Sequence, residues 1–158
     1  MGAADACPRR ATLNALWARG KLRKRNVDAI MLLGSPLGGC AMAKIDLVAL
    51  GRALETPWVP LEISQVDNYH CLLVLYQGSY PPHFHNRDEF FMVLEGAVDI
   101  EIEGGGTMTL REKEATVVKA GLHHRSVART PSALVLLFEA KEITYNPVVM
   151  VGQVGEHE

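Results

Sequence analysis

"PPHFHNRDEFFMVLEG", residues 81–96, is the stretch on which the reading of this chain turns. Two histidines, His83 and His85, stand one residue apart, and a carboxylate, Glu89, follows four residues later. In an extended strand, residues two apart share a face, so both imidazoles project together while Phe84 points away. Pro81 and Pro82 fix an extended approach and donate no ladder hydrogen bonds, which suits a strand start or edge. After the turn-like Asn86-Arg87-Asp88, Glu89 opens the next strand and reaches back toward the imidazoles. Three such groups converging in an interior are costly unless a cation or hydrogen bonds compensate them. Imidazole nitrogen with carboxylate oxygen suits a divalent ion such as Fe, Mn, Ni, Co, Cu or Zn. An H-x-H pair by itself also fits two surface histidines on an edge strand.

Outward from this stretch the pattern is one of short β-rich segments separated by turn signals. They run roughly over residues 59–66, 69–77, 89–94, 97–103, 107–111, 115–119, 123–129 and 133–139. The Gly-rich run 103–107 reads as a hairpin loop and 128–133 as another turn. Closely spaced strands of this kind predict an all-β fold, a barrel or sandwich. Upstream, Asp46 is a plausible N-cap for a short helix that places Leu47, Leu50 and Leu54 at core spacing.

At this point the residues resemble a family. The spacing H-x-H-x(3)-E-x(6)-G, with Gly78, His83, His85, Glu89 and Gly96, is similar to the first motif of the cupin superfamily, with one residue fewer between Gly78 and His83. Residues 113–128 resemble the second motif, whose histidine follows a glycine by three positions, hence Gly121 and His124. Lys113 stands where the family usually has Gly, Lys119 where it has Pro, and Ala128 where it often has Asn. The resemblance covers roughly residues 57–140. It implies a small antiparallel jelly-roll β-barrel and a mononuclear site for one divalent metal ion, with His83, His85, Glu89 and His124 as ligands. It further implies a small-molecule metalloenzyme of dioxygenase, isomerase or lyase type, or else a non-catalytic small-ligand-binding or sensing barrel. Each imidazole must be neutral to bind a metal, so occupancy is expected to fall below about pH 6.5.

Alternation separates the neighbours His123 and His124. His124, Ser126 and Ala128 fall on one face, and His123, Arg125, Val127 and Arg129 on the other. Small side chains leave room around a cation, whereas two arginines would repel it. His70, on the face of Leu72 and Val74, either lines the barrel or sits satisfied in its core. Tyr76, Gln77 and Tyr80 lie just before the histidine strand and are candidates to line a substrate site, although a tyrosine at a barrel mouth is as often a packing residue.

Residues 1–41 differ from the rest. They hold seven Lys/Arg against two acids, while 42–158 hold nine against sixteen, which leaves the main body at about −7. A basic amphipathic helix through Leu13, Leu16 and Trp17 is expected there, followed by the breaker at 34–39. Three readings compete: an extension upstream of a native start at Met42, an Arg-rich targeting segment, or a helix that packs on the domain. The expected domains are thus a basic extension, 1–41, and a β-barrel, 42–158.

The acidic body carries no basic stripe interleaved with aromatics, so nucleic acid is not expected as a partner. No apolar run approaches a membrane span, and no membrane partner is expected. Cys7, Cys40 and Cys71 are odd in number and scattered, which argues for a reducing, cytoplasmic setting. Inward-facing Glu89 sends Phe90, Met92 and Leu94 to the other face of their strand, and residues 71–76 and 134–138 are apolar on both faces. Such strands need a cover, and a homodimer is expected to supply it.

Overall fold

The structure, a computed structural model, describes residues 44–147. The expected boundary at 41/42 and the amino-terminal helix lie outside these residues. A division at Thr56/Pro57 separates two compact units. The first contains a short helix, α1 (Leu47–Gly51), capped by Asp46, whose Oδ1 accepts the amide of Ala49 at 3.0 Å. This satisfies one of the orphan donors of the first turn.

The second unit is built of ten strands: β1 (Leu61–Val66), β2 (Tyr69–Tyr76), β3 (His83–His85), β4 (Glu89–Glu95), β5 (Ala97–Ile102), β6 (Gly106–Arg111), β7 (Ala115–Val118), β8 (His124–Ala128), β9 (Ala133–Ala140) and β10 (Tyr145–Pro147). They form two five-stranded antiparallel sheets in the orders β1-β2-β9-β4-β7 and β10-β3-β8-β5-β6. This is a jelly-roll arrangement whose sheets do not close into one continuous barrel. All eight expected β segments are present, with β3 at the histidine pair. β3 is flanked on both sides, by β10 and β8, so it is not an edge strand. The prolines precede it and leave its ladder intact.

Alternation assigns the faces. Leu72, Val74 and Tyr76 of β2, Val135 and Leu137 of β9, and Phe91 and Val93 of β4 point into the space between the sheets. Val98 and Ile100 of β5 and Leu110 of β6 meet them from the other sheet. Phe91, Val93 and Val135 are completely buried, each contributing about 1.5–3 kcal/mol by removal from water. The outer face of the first sheet is apolar as well: Leu73 and Leu134 are buried, and Phe90 packs edge-to-face on Phe138 at 5.7 Å.

Two turns fix the strands that carry the site. Gly96, between β4 and β5, has φ +82, and a Cβ there would meet Thr130 Oγ1 at 2.6 Å and the carbonyl of Ser132 at 2.8 Å. Only glycine fits. Lys113, in the β6–β7 turn, has φ +67. It takes the left-handed conformation that the family's usual glycine adopts freely. Its amide donates to the carbonyl of Val93 at 2.8 Å, and Val93 in turn donates to Glu114 at 3.0 Å, so the turn is held to β4 despite the substitution.

Candidate metal centre

His83 and His85 lie on the same face of β3, and His124 opens β8 directly opposite His83 in the antiparallel register. The pairing of β5 with β8 sets Ile102 beside His124 and Ile100 beside Ser126, so the inward face of β8 is continuous with the core. One ring nitrogen from each of His83, His85 and His124 lies within 4.8 Å of the others. All three histidines are buried, His85 and His124 to 1 % exposure.

The outer nitrogens are accounted for. His83 Nδ1 donates to the carbonyl of Pro81 at 2.8 Å, and His124 Nδ1 donates to that of Leu122 at 2.9 Å. A carbonyl only accepts, so in both rings the proton sits on Nδ1 and Nε2 keeps its lone pair. His85 is different: both of its ring nitrogens are buried without a hydrogen-bond partner. An orphaned buried imidazole costs about 1–3 kcal/mol unless something engages its lone pair. A cation held by the three rings would do that, and the donor set fits one.

The electrostatics agree. Burial and the neighbouring His83 and His124 rings push His85 down to about 3. Burial lowers His124 to about 4, and it lowers His83 against the opposing pull of Pro81 and Glu139. The imidazoles are therefore neutral over the ordinary pH range, which is the form that binds a metal.

Glu89, 4 % exposed, places Oε2 3.9 Å from His85 Nε2. Burial raises its pKa well above the usual carboxylate range, as does a hydrogen bond to the carboxyl of Glu139. Glu139 is equally buried and faces Glu89 directly across β4 and β9. It also accepts the hydroxyl of Tyr145, whose ring lies 4.6 Å from His85 and 5.6 Å from His83. Sequence reading did not single out Glu139 or Tyr145. Glu139 follows Val135 and Leu137 on the inward face, but residues 134–138 are apolar at every position, so the sequence alone did not show which way it points. Tyr145 sits on a three-residue strand ending in Pro147, with no alternation to reveal it.

The other candidates are placed as follows. Tyr76 is buried; its hydroxyl pKa is raised by burial and by Glu89 and Glu139, while a hydrogen bond with Ser126 opposes the shift. The Tyr80 ring meets His83 edge-on at 5.1 Å and Trp58 at 5.2 Å. Gln77 is exposed, and its carbonyl accepts Trp58 Nε1 at 2.8 Å. His70 is opposite Glu139 in the β2–β9 register, but its Nδ1 pairs with Glu62 Oε2 at 2.9 Å. His123 faces away from the cluster: its Nδ1 lies 2.5 Å from Glu103 Oε2 and its ring stacks on Phe84. Arg125 pairs with Glu101 and Arg129 with Asp99 on that same outer face.

Residues 72–138 match the family model described as a cupin domain. Over 82 residues the chain is 28 % identical to the uncharacterized protein YdbB of Bacillus subtilis (strain 168), covering 51 % of this chain and 73 % of that one. Its fold is similar to the crystal structure of a cupin-2 domain containing protein from Shewanella frigidimarina NCIMB 400, with a TM-score of 0.58 at 26 % identity over 61 % of this chain and 93 % of that one. Protein NMB1881 from Neisseria meningitidis is similar at a TM-score of 0.56 and 28 % identity, over 61 % of this chain and 98 % of that one. Two facing antiparallel sheets, paired histidine motifs and this family match agree: residues 72–138 form a cupin domain.

Proposed function

We propose that the centre binds one divalent metal ion through His83, His85, Glu89 and His124, and acts with it on a small molecule. The observation that carries this reading is the His85 ring, buried with both nitrogens unpartnered among two other inward imidazoles. Three neutral imidazoles and one carboxylate would leave a divalent ion with about one net positive charge. A bound ion of octahedral preference supplies Lewis acidity or oxygen activation at its remaining positions. Zn, by contrast, is saturated by four ligands in tetrahedral geometry, which favours a structural role for that metal.

The chain's own residues then bind and orient. The hydroxyls of Tyr76 and Ser126 and the rings of Tyr80 and Tyr145 offer polar edges near the histidines, suited to a small hydroxyl- or carbonyl-bearing ligand. The reading is a small-molecule metalloenzyme of dioxygenase, isomerase or lyase type. A non-catalytic small-ligand-binding or sensing barrel is the second reading, because one cupin site hosts many chemistries. Metal analysis of protein purified without added metal separates them in part. Iron together with oxygen-dependent turnover of diols, thiols or keto acids supports the enzyme; no turnover across that panel with any bound metal supports the binding barrel.

We also propose a homodimer through the apolar outer face of the first sheet, where Phe90, Met92 and Leu94 are half-buried and Val117 is exposed. A monomer by light scattering at high concentration would contradict it. A cytoplasmic setting fits the buried free thiol of Cys71. Among the described residues no helix is long and apolar enough to cross a membrane.

A further inference from the structure

We propose that Glu139 is the positioning residue of this centre, holding Glu89 toward the histidines and itself held by Tyr145. The proposal rests on the metal reading above and extends it to two residues outside the family's motifs.

The geometry begins with the register. Glu89 and Glu139 are Cα partners across β4 and β9, so their side chains stand directly opposite on the same inward face. Both are 4 % exposed. On β9 the inward positions before Glu139 are Val135 and Leu137, both buried in the core. A third apolar residue would continue that packing without desolvating a carboxyl, so packing alone gives no reason for an acid there. What Glu139 does have is two partners: a hydrogen bond with the Glu89 carboxyl and the donated hydroxyl of Tyr145. With Glu139 on that carboxyl, Glu89 presents Oε2 3.9 Å from His85 Nε2. β10 pairs with β3 so that Tyr145 is the register partner of His85 itself. The chain Tyr145–Glu139–Glu89 therefore begins and ends at His85, and its middle member lies outside both histidine motifs. Groups that orient a ligand residue in this way usually carry a measurable share of metal affinity.

The test is titration of metal-free protein with Co(II), followed by calorimetry and by the visible absorption of the bound ion. Wild type is compared with Glu139→Leu, Glu139→Gln and Tyr145→Phe. Glu139→Leu is expected to weaken Co(II) binding by about 10–100-fold and to change the absorption bands. Glu139→Gln keeps the shape, can donate to Glu89 and can accept from Tyr145, so it should largely rescue both readouts. Tyr145→Phe should fall between the two. A Glu139 that is only structural would lower the melting temperature of Glu139→Leu and leave affinity and spectrum unchanged, which overturns the proposal. If Glu139→Leu does not fold, Tyr145→Phe decides, and unchanged affinity and spectrum in that variant overturn it equally. Wild type that binds no Co(II) brings down the metal reading as well; wild-type binding with unmoved variants brings down this proposal alone.

Discussion

Glu89 and Glu139 face each other across β4 and β9, buried to the same degree and hydrogen-bonded carboxyl to carboxyl. Without a cation, Glu89 and the three histidines shape how stability depends on pH. Glu89 is raised well above 4.5 by burial and by Glu139, so above pH 4.5 the folded state holds a proton that the unfolded state has released. Its contribution is present below 4.5 and is lost as pH rises toward the folded value. The histidines act in the opposite sense. Burial lowers His83, with His85 at about 3 and His124 at about 4, so below pH 6.5 the unfolded chain takes up protons first. Their contribution is present above 6.5 and is lost as pH falls, by up to about 1.4 kcal/mol per pH unit for each.

Three imidazoles outweigh one carboxyl, so the metal-free protein should lose stability as pH falls below 6.5, with Glu89 offsetting part of that loss. Added metal should raise the melting temperature most above pH 6.5, where the imidazoles are neutral and the cation compensates the Glu89 charge. Melting curves from pH 4 to 9, with and without metal, check this. A metal-free protein whose melting temperature does not fall between pH 6.5 and pH 4 would contradict the buried neutral histidines. Because burial lowers the imidazoles, acid release of metal should begin below the pH 6.5 expected for free histidine.

Replacing Glu89 by Gln removes the only anion among the four proposed ligands and keeps its shape. Metal affinity should fall by at least tenfold, while the metal-free protein should melt at or above the wild-type temperature, since one of two facing carboxylates is gone. Calorimetric titration beside a melting curve reads both. Full affinity in Glu89→Gln would remove Glu89 from the centre.

The two turns give opposite expectations for substitutions involving glycine. Lys113, at φ +67 and exposed, should gain about 1 kcal/mol on replacement by Gly, because the left-handed conformation penalises a side chain. Gly96→Ala should cost about 2 kcal/mol or more, since strain at φ +82 is joined by the approach of Thr130 and Ser132. Chemical denaturation of the two variants tests the signs. A destabilised Lys113→Gly would mean that the lysine side chain has a role beyond the turn.

Much of this was legible in the residues. The histidine pair, Glu89 and the alternation around His124 place their side chains by a period of two, which sequence displays directly. The eight β segments had turn residues at their borders. What stayed hidden depended on partners distant in sequence. β10 is three residues long and exists only through pairing with β3. Glu139 ends a run that is apolar on both faces, so its inward position emerged only once β9 was seated between β2 and β4. Lys113 in a left-handed turn also runs against local preference, and the hydrogen bonds to Val93 and from it overrule that preference.

The most direct test of the account is the metal stoichiometry of two adjacent variants. His124 is buried with its Nδ1 donated to Leu122, whereas His123 is turned outward onto Glu103 and Phe84. Metal-free protein titrated with Co(II) should bind one equivalent as wild type and as His123→Ala, and none at the same concentrations as His124→Ala. A wild type that binds no metal, or a His124→Ala variant that binds as wild type does, would contradict the centre described here.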